Sequence, residues 1–179
     1  MGKPATPKKV LLFIATLFSN KEAYYQALNI LEERFGEILL ESSPSKWDYS
    51  DYYTPELGSP IWRRFIFFRN LISEGDIAQI KIQTNEIEQA LSNDGKRTIN
   101  LDPGYIGLAK LVLATTKDYS HRIYLRDGIY GEVTLIFKNN SFRPHINTYR
   151  DYADESYVKL FNFLRIIYKD LLSNEFFLA

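Results

Sequence analysis

Residues 97–143 read RTINLDPGYIGLAKLVLATTKDYSHRIYLRDGIYGEVTLIFKNNSFR, and the alternation within them decides the fold. Ile129, Gly131, Val133, Leu135 and Phe137 alternate with Tyr130, Glu132, Thr134 and Lys138, the period of a half-buried strand. His121 to Leu125 pairs with that strand through Arg126-Asp127-Gly128. A two-residue Asp127-Gly128 turn would place Ile123 and Leu125 on the face of Glu132 and Thr134. A three-residue loop, with left-handed Gly128 as a G1 bulge, places them beside Ile129, Gly131 and Val133. A one-residue slip exchanges the faces, so the apolar pattern selects the second register. Arg122 then lies opposite Glu132 and Tyr124 opposite Tyr130, while His121 points to the apolar side. Arg122, Tyr124, Tyr130 and Glu132 either line a polar pocket or form an ordinary cross-strand ion pair flanked by phenols, worth about 0.2–1 kcal/mol.

Outward from the hairpin, Arg97 to Leu101 reads as a strand and Asp102-Pro103-Gly104 as a tight turn. Tyr105 to Thr116 reads as a further strand with Lys110 embedded in apolar surroundings, where it snorkels or meets an anion. Upstream, Val10 to Phe18 is a continuous apolar run, a central strand covered on both faces. Ser19 to Glu22 reads as a capping box with Ser19 as N-cap. Tyr24, Ala27, Leu28, Leu31 and Phe35 follow at helical spacing, and Glu37 to Ser42 is a second strand. Ile61 to Ile72 is a third, with Arg63, Phe65 and Phe67 on one face and Trp62, Arg64, Ile66 and Phe68 on the other. Its arginines either grip phosphate or carboxylate or guard an edge strand. After Ser73, the positions Ile77, Ile80, Thr84, Ile87 and Leu91 form an amphipathic stripe. Lys81, Asn85 and Glu88 lie off it and are read as solvated. After the hairpin, Phe142 to Ile146 is a short strand, and Val158, Phe161, Leu164, Tyr168 and Leu171 mark a last helix.

The expected fold is therefore α+β, a ferredoxin-like β-α-β-β-α-β core extended by an antiparallel meander and a C-terminal helix. A layered α/β sheet of other connectivity is the alternative. The 179 residues suit one domain. Residues 1–8 are a flexible tail, 43–60 a long aromatic and acidic loop, and 173–179 a tail whose Phe176, Phe177 and Leu178 dock on the body or on a second chain. Loops as long as 43–60 are often lids or binding loops.

Composition limits the chemistry. The chain has no cysteine, only two histidines and zero formal net charge. Thiol catalysis and cysteine metal sites are excluded, a multi-histidine site is disfavoured, and a broad basic surface for nucleic acid is missing. No apolar run has transmembrane length, so no membrane association and a cytoplasmic location are expected. Gly95-Lys96-Arg97-Thr98 lacks the upstream glycine of a phosphate loop, where Ala90 stands instead. No motif assigns an activity.

Candidate site residues remain. Lys110, Thr116, Lys117, Arg122, Tyr124 and Tyr130 would hold a small anionic ligand, a nucleotide or other phosphate compound. Glu132 or His121 would act as base, and Asp102 would help hold Mg²⁺. A second reading is an RNA-binding module, with Trp47, Tyr52, Tyr53, Arg63 and Arg64 stacking on bases and meeting phosphates. A third is a scaffold that oligomerises through the C-terminal tail.

Asp51-Tyr52-Tyr53 with Glu56 and Gly58, Arg63-Arg64, Thr84-Asn85-Glu86 and Asp94-Gly95-Lys96-Arg97 form one constellation with the NLDPGY run at 100–105. KLVLATTKDYSHRIYL at 110–125 and GIYGEVTL at 128–135 complete it. Together they resemble a prokaryotic family known as domain of unknown function 4416. The resemblance covers nearly the whole chain. It implies a bacterial or archaeal cytosolic protein and carries over no catalytic residues.

Overall fold

Val10–Phe18 forms strand β1 with every residue buried. An unbroken apolar run requires this, because each face must be covered. The structure is a computed structural model and describes residues 2–178. Helix α1 (Lys21–Phe35) follows, capped by Asn20, whose side chain accepts from the Glu22 N–H at 2.8 Å. Ser19, the expected cap, instead donates its hydroxyl to the Leu57 carbonyl. That ties the start of α1 to the one-turn helix α2 (Thr54–Leu57).

The remaining elements are β2 (Ile38–Glu41), β3 (Ser45–Lys46), β4 (Trp62–Ile72), α3 (Ile77–Ala90), β5 (Ile99–Ile106), β6 (Lys110–Thr115), β7 (Ile123–Arg126), β8 (Ile129–Lys138), β9 (Ser141–Arg143) and α4 (Glu155–Leu178). One sheet runs in the order β2-β4-β1-β5-β6-β8-β7, with β3 beside β4 and β9 beside β8, and every pair is antiparallel. The chain is α+β: a large open antiparallel sheet with helices on both faces. Alternation along β1 and β4 divides the core. Leu12, Ile14, Ile66 and Phe68 pack under α1 and α3. Leu11, Phe13, Phe65 and Phe67 pack under Phe161, Leu164 and Tyr168 of α4. The faces expected for Arg63, Phe65 and Phe67 against Ile66 and Phe68 are those observed. β4 lies between β2 and β1, so its arginines do not guard an edge.

Several sequence-level expectations are corrected. Asp102-Pro103-Gly104 is not a turn but lies inside β5, with Pro103 opposite Ile14 and Gly104 opposite Phe13. The β5–β6 ladder begins only at Gly104, so Pro103, which lacks an N–H, falls just outside it. Glycine is required at 104 by close approach. A Cβ there would stand 2.5 Å from the Val112 carbonyl oxygen and 2.6 Å from the Phe13 ring. Gly104→Ala is expected to destabilise by about 1–3 kcal/mol through overpacking, read as a lower urea midpoint at unchanged slope. The expected strand 105–116 is split at residues 107–109 into β5 and β6. The loop 43–60 contains β3 and α2. Helix α4 continues through Leu178, where a separate tail was expected from 173; the side chains of Phe176, Phe177 and Leu178 lie outside the described residues.

The β7–β8 hairpin merges the two loops weighed for it. Asp127 and Gly128 both have positive φ (52° and 76°), a two-residue turn between Arg126 and Ile129. A bulge between Tyr124 and Arg126 then restores the other register, with Tyr124 opposite Tyr130 and Ile123 opposite Gly131. The apolar reverse of this ribbon is core only in part. Ile129 is buried with the residues under α1 and α3, but Ile123 is 72% exposed, and Leu125 and Val133 are also open; α4 packs mainly against β9 and β5.

Candidate functional site

The strands β4, β5, β6 and β8, the helix α3, the loop after β3 and the segment 149–152 enclose a cavity of about 480 Å³. Its base is set by alternation. Arg63 precedes Phe65 and Phe67 on the α4 face of β4, so its guanidinium is carried into the interior, where its side chain is only 4% exposed. There Nη2 donates to Asp151 Oδ2 at 2.6 Å, and the Trp47 indole N–H donates to the same oxygen at 3.1 Å. Arg63 Nε and Nη1, and the Tyr152 hydroxyl, have no hydrogen-bond partner among the described residues. All three belong to residues on the cavity wall. Burial works most strongly against the Arg63 charge, but Asp151 together with Tyr152, Asp102 and Tyr157 more than offsets it, and the pKa lies above the ordinary value.

A second group comes from β8 and the β6–β7 loop. Glu132, buried on β8, accepts from Arg122 Nε at 2.8 Å and shares a hydrogen bond with His121 Nε2 at 2.9 Å. Arg122 also donates to the Tyr149 hydroxyl at 2.6 Å and to the Lys117 carbonyl at 2.9 Å. Burial, then the nearby Glu132 charge, pushes Tyr149 up to about 12. Lys117 Nζ lies 4.8 Å over the Tyr52 ring at the mouth.

A third group comes from α3 and β5. Lys81 Nζ donates to the Leu101 carbonyl at 2.9 Å and meets Asp102 Oδ1 at 3.4 Å. Asn100 Nδ2 donates to Asp102 Oδ2 at 2.6 Å. Arg97 donates to Asn100 Oδ1 at 2.8 Å, meets Glu88 at 3.3 Å and grips Glu56 with two N–H groups at 2.8 and 2.7 Å. Burial raises the Glu88 pKa.

Of the sequence candidates, Arg63, Tyr52, Tyr53, Asp102, Thr116, Lys117, Arg122 and Glu132 line this cavity. His121 touches it only through Glu132, and so does not face the apolar side: it precedes β7, where strand alternation does not apply. Lys110 stands at the other end of β6, 3.7 Å from Glu74. Arg64 lies on the opposite sheet face, bonded to the Ser42 carbonyl and Glu41. Tyr124 and Tyr130 pack ring to ring at 5.4 Å, outside the cavity.

Sequence reading missed Lys81, Asn85 and Glu88, which it placed in solvent; Lys81 and Glu88 are buried. Their spacing of four and three puts them on one face of α3, which was the available signal. It also missed the wall residues Arg97, Asn100, Tyr149 and Asp151. Among the described residues, no three or more His, Asp or Glu side chains cluster to hold a metal ion. No described helix is long and apolar enough to cross a membrane.

The Glu56–Arg97 fork fastens the loop carrying Tyr52 and Tyr53 to the body. The Arg97 hydrogen bond lowers the Glu56 pKa. Such a group contributes stability above the ordinary carboxylate range, lost as pH falls through the depressed value. Glu56→Gln should therefore cost about 0.2–1 kcal/mol at pH 7. The gap between variant and wild-type urea midpoints should close on acidification.

Fold and cavity together define an α+β chain with a ligand-sized, charge-lined hollow across its central strands. Residues 8–168 match the family described as Domain of unknown function (DUF4416), and the chain belongs to it. Comparison with curated proteins and with solved structures gives no match.

Proposed function

We propose that the cavity binds a small ligand through an anionic, phosphate-like group, a nucleotide or related phosphate compound. One observation carries this reading. Arg63, buried on the wall, keeps two guanidinium nitrogens, Nε and Nη1, without partners among the described residues. A buried donor left unpaired costs roughly 1–3 kcal/mol, so the arrangement suits a guest that supplies acceptors. Tyr152 is a further unpaired donor, and Lys117 adds a cation at the mouth. In this reading Glu132, already taken by Arg122 and His121, orients Arg122 rather than acting as a base. The strand order β2-β4-β1-β5, with α1 and α3 on one face, supports reading those elements as a ferredoxin-like core.

A thermal-shift series with inorganic phosphate and nucleotides, with and without Mg²⁺, tests the proposal against chloride at equal ionic strength. Stabilisation should grow with ligand concentration as mass action requires. The absence of any shift across the series would remove it.

A further inference from the structure

The walls of the cavity differ in what they offer. Around Arg63 the unpaired groups are donors. Across from it, α3 and β5 present mixed chemistry. The Asp102 carboxylate keeps 31% of its side chain exposed after meeting Lys81 and Asn100. One helical turn beyond Lys81, Asn85 brings an amide that makes no hydrogen bond within the described residues. A ligand that was phosphate alone would be repelled by Asp102 and would leave half of the Asn85 amide unused. A hydroxyl group both donates and accepts, so a carboxylate with an amide one turn away matches an alcohol or diol.

We infer that the ligand is a phosphate ester of a polyol, its phosphate toward Arg63 and Lys117 and its hydroxyls toward Asp102 and Asn85. This rests on the anion-binding reading above and adds the uncharged half of the ligand. The volume agrees, since about 480 Å³ exceeds what a single phosphate fills and falls within the range of small-ligand sites.

Titration with inorganic phosphate, ethyl phosphate and ribose 5-phosphate separates the two readings. The two esters carry the same charge and differ in hydroxyls. Ribose 5-phosphate should bind at least about tenfold more tightly than ethyl phosphate. Asn85→Ala, which removes no hydrogen bond of the folded protein, and Asp102→Asn should each shrink that margin. In Asn85→Ala the affinity for ethyl phosphate should stay within about twofold. Equal affinity for both esters, or a margin unchanged in both variants, overturns the polyol inference and leaves anion binding standing. Failure of all three probes to bind overturns both.

Discussion

Asp151→Ala should cost about 3–5 kcal/mol of folding stability, the penalty for leaving a buried charge without its partner. Among the described residues, Asp151 is the only carboxylate paired with Arg63, at 2.6 Å, and both side chains are at most 6% exposed. The same carboxylate receives the Trp47 indole and, through Oδ1, the Tyr152 backbone N–H at 3.0 Å. Removing it strands the guanidinium with one fewer bond than its present one-sided pairing. Chemical denaturation at pH 7 measures the loss. A cost under about 1 kcal/mol would mean that Arg63 reaches solvent in the folded state.

The larger effect on binding should come from replacing both partners, Arg63→Met with Asp151→Leu. Buried ion pairs exchanged together for apolar side chains of similar volume are often neutral or stabilising. Phe65, Tyr152 and Tyr157 already surround the site with rings, so the apolar pair has surfaces to pack on. The double variant should therefore recover part of the stability lost in Asp151→Ala, the rest going to the Trp47 indole and Tyr152 backbone N–H groups that lose their acceptor. It should nevertheless bind phosphate compounds at least about a hundredfold more weakly, since charge-assisted contacts contribute about 1.5–3 kcal/mol each. Stability and binding would then separate, as expected if Arg63 is kept for a ligand rather than for the fold.

The core of the sheet was legible because periodicity reports which face is buried. β1 declares itself by apolar residues on both faces, and the helical stripe from Ile77 to Leu91 by its spacing. Pro103 and Gly104 misled because the residues that punctuate turns also serve where two strands approach too closely for a Cβ. Lys110 misled because a strand read as continuous through 107–109 carries its lysine to the wrong end. The polar wall was only half legible. Arg63 and Arg122 stand out as charges inside β-rich stretches. Asp151, which neutralises Arg63, sits 88 residues away in a segment without periodicity. Lys81, Asn85 and Glu88 look like a solvated helix face, and only the packing of α3 against β5, β6 and β8 turns that face inward.

Calorimetric titration of adenosine monophosphate and inorganic phosphate into the wild-type chain and the folded Arg63→Met/Asp151→Leu variant bears most directly on the role of the buried guanidinium. Saturable binding to the wild type that is lost in the variant is the expected result. Equal affinity in both, or no binding to the wild type, would contradict it.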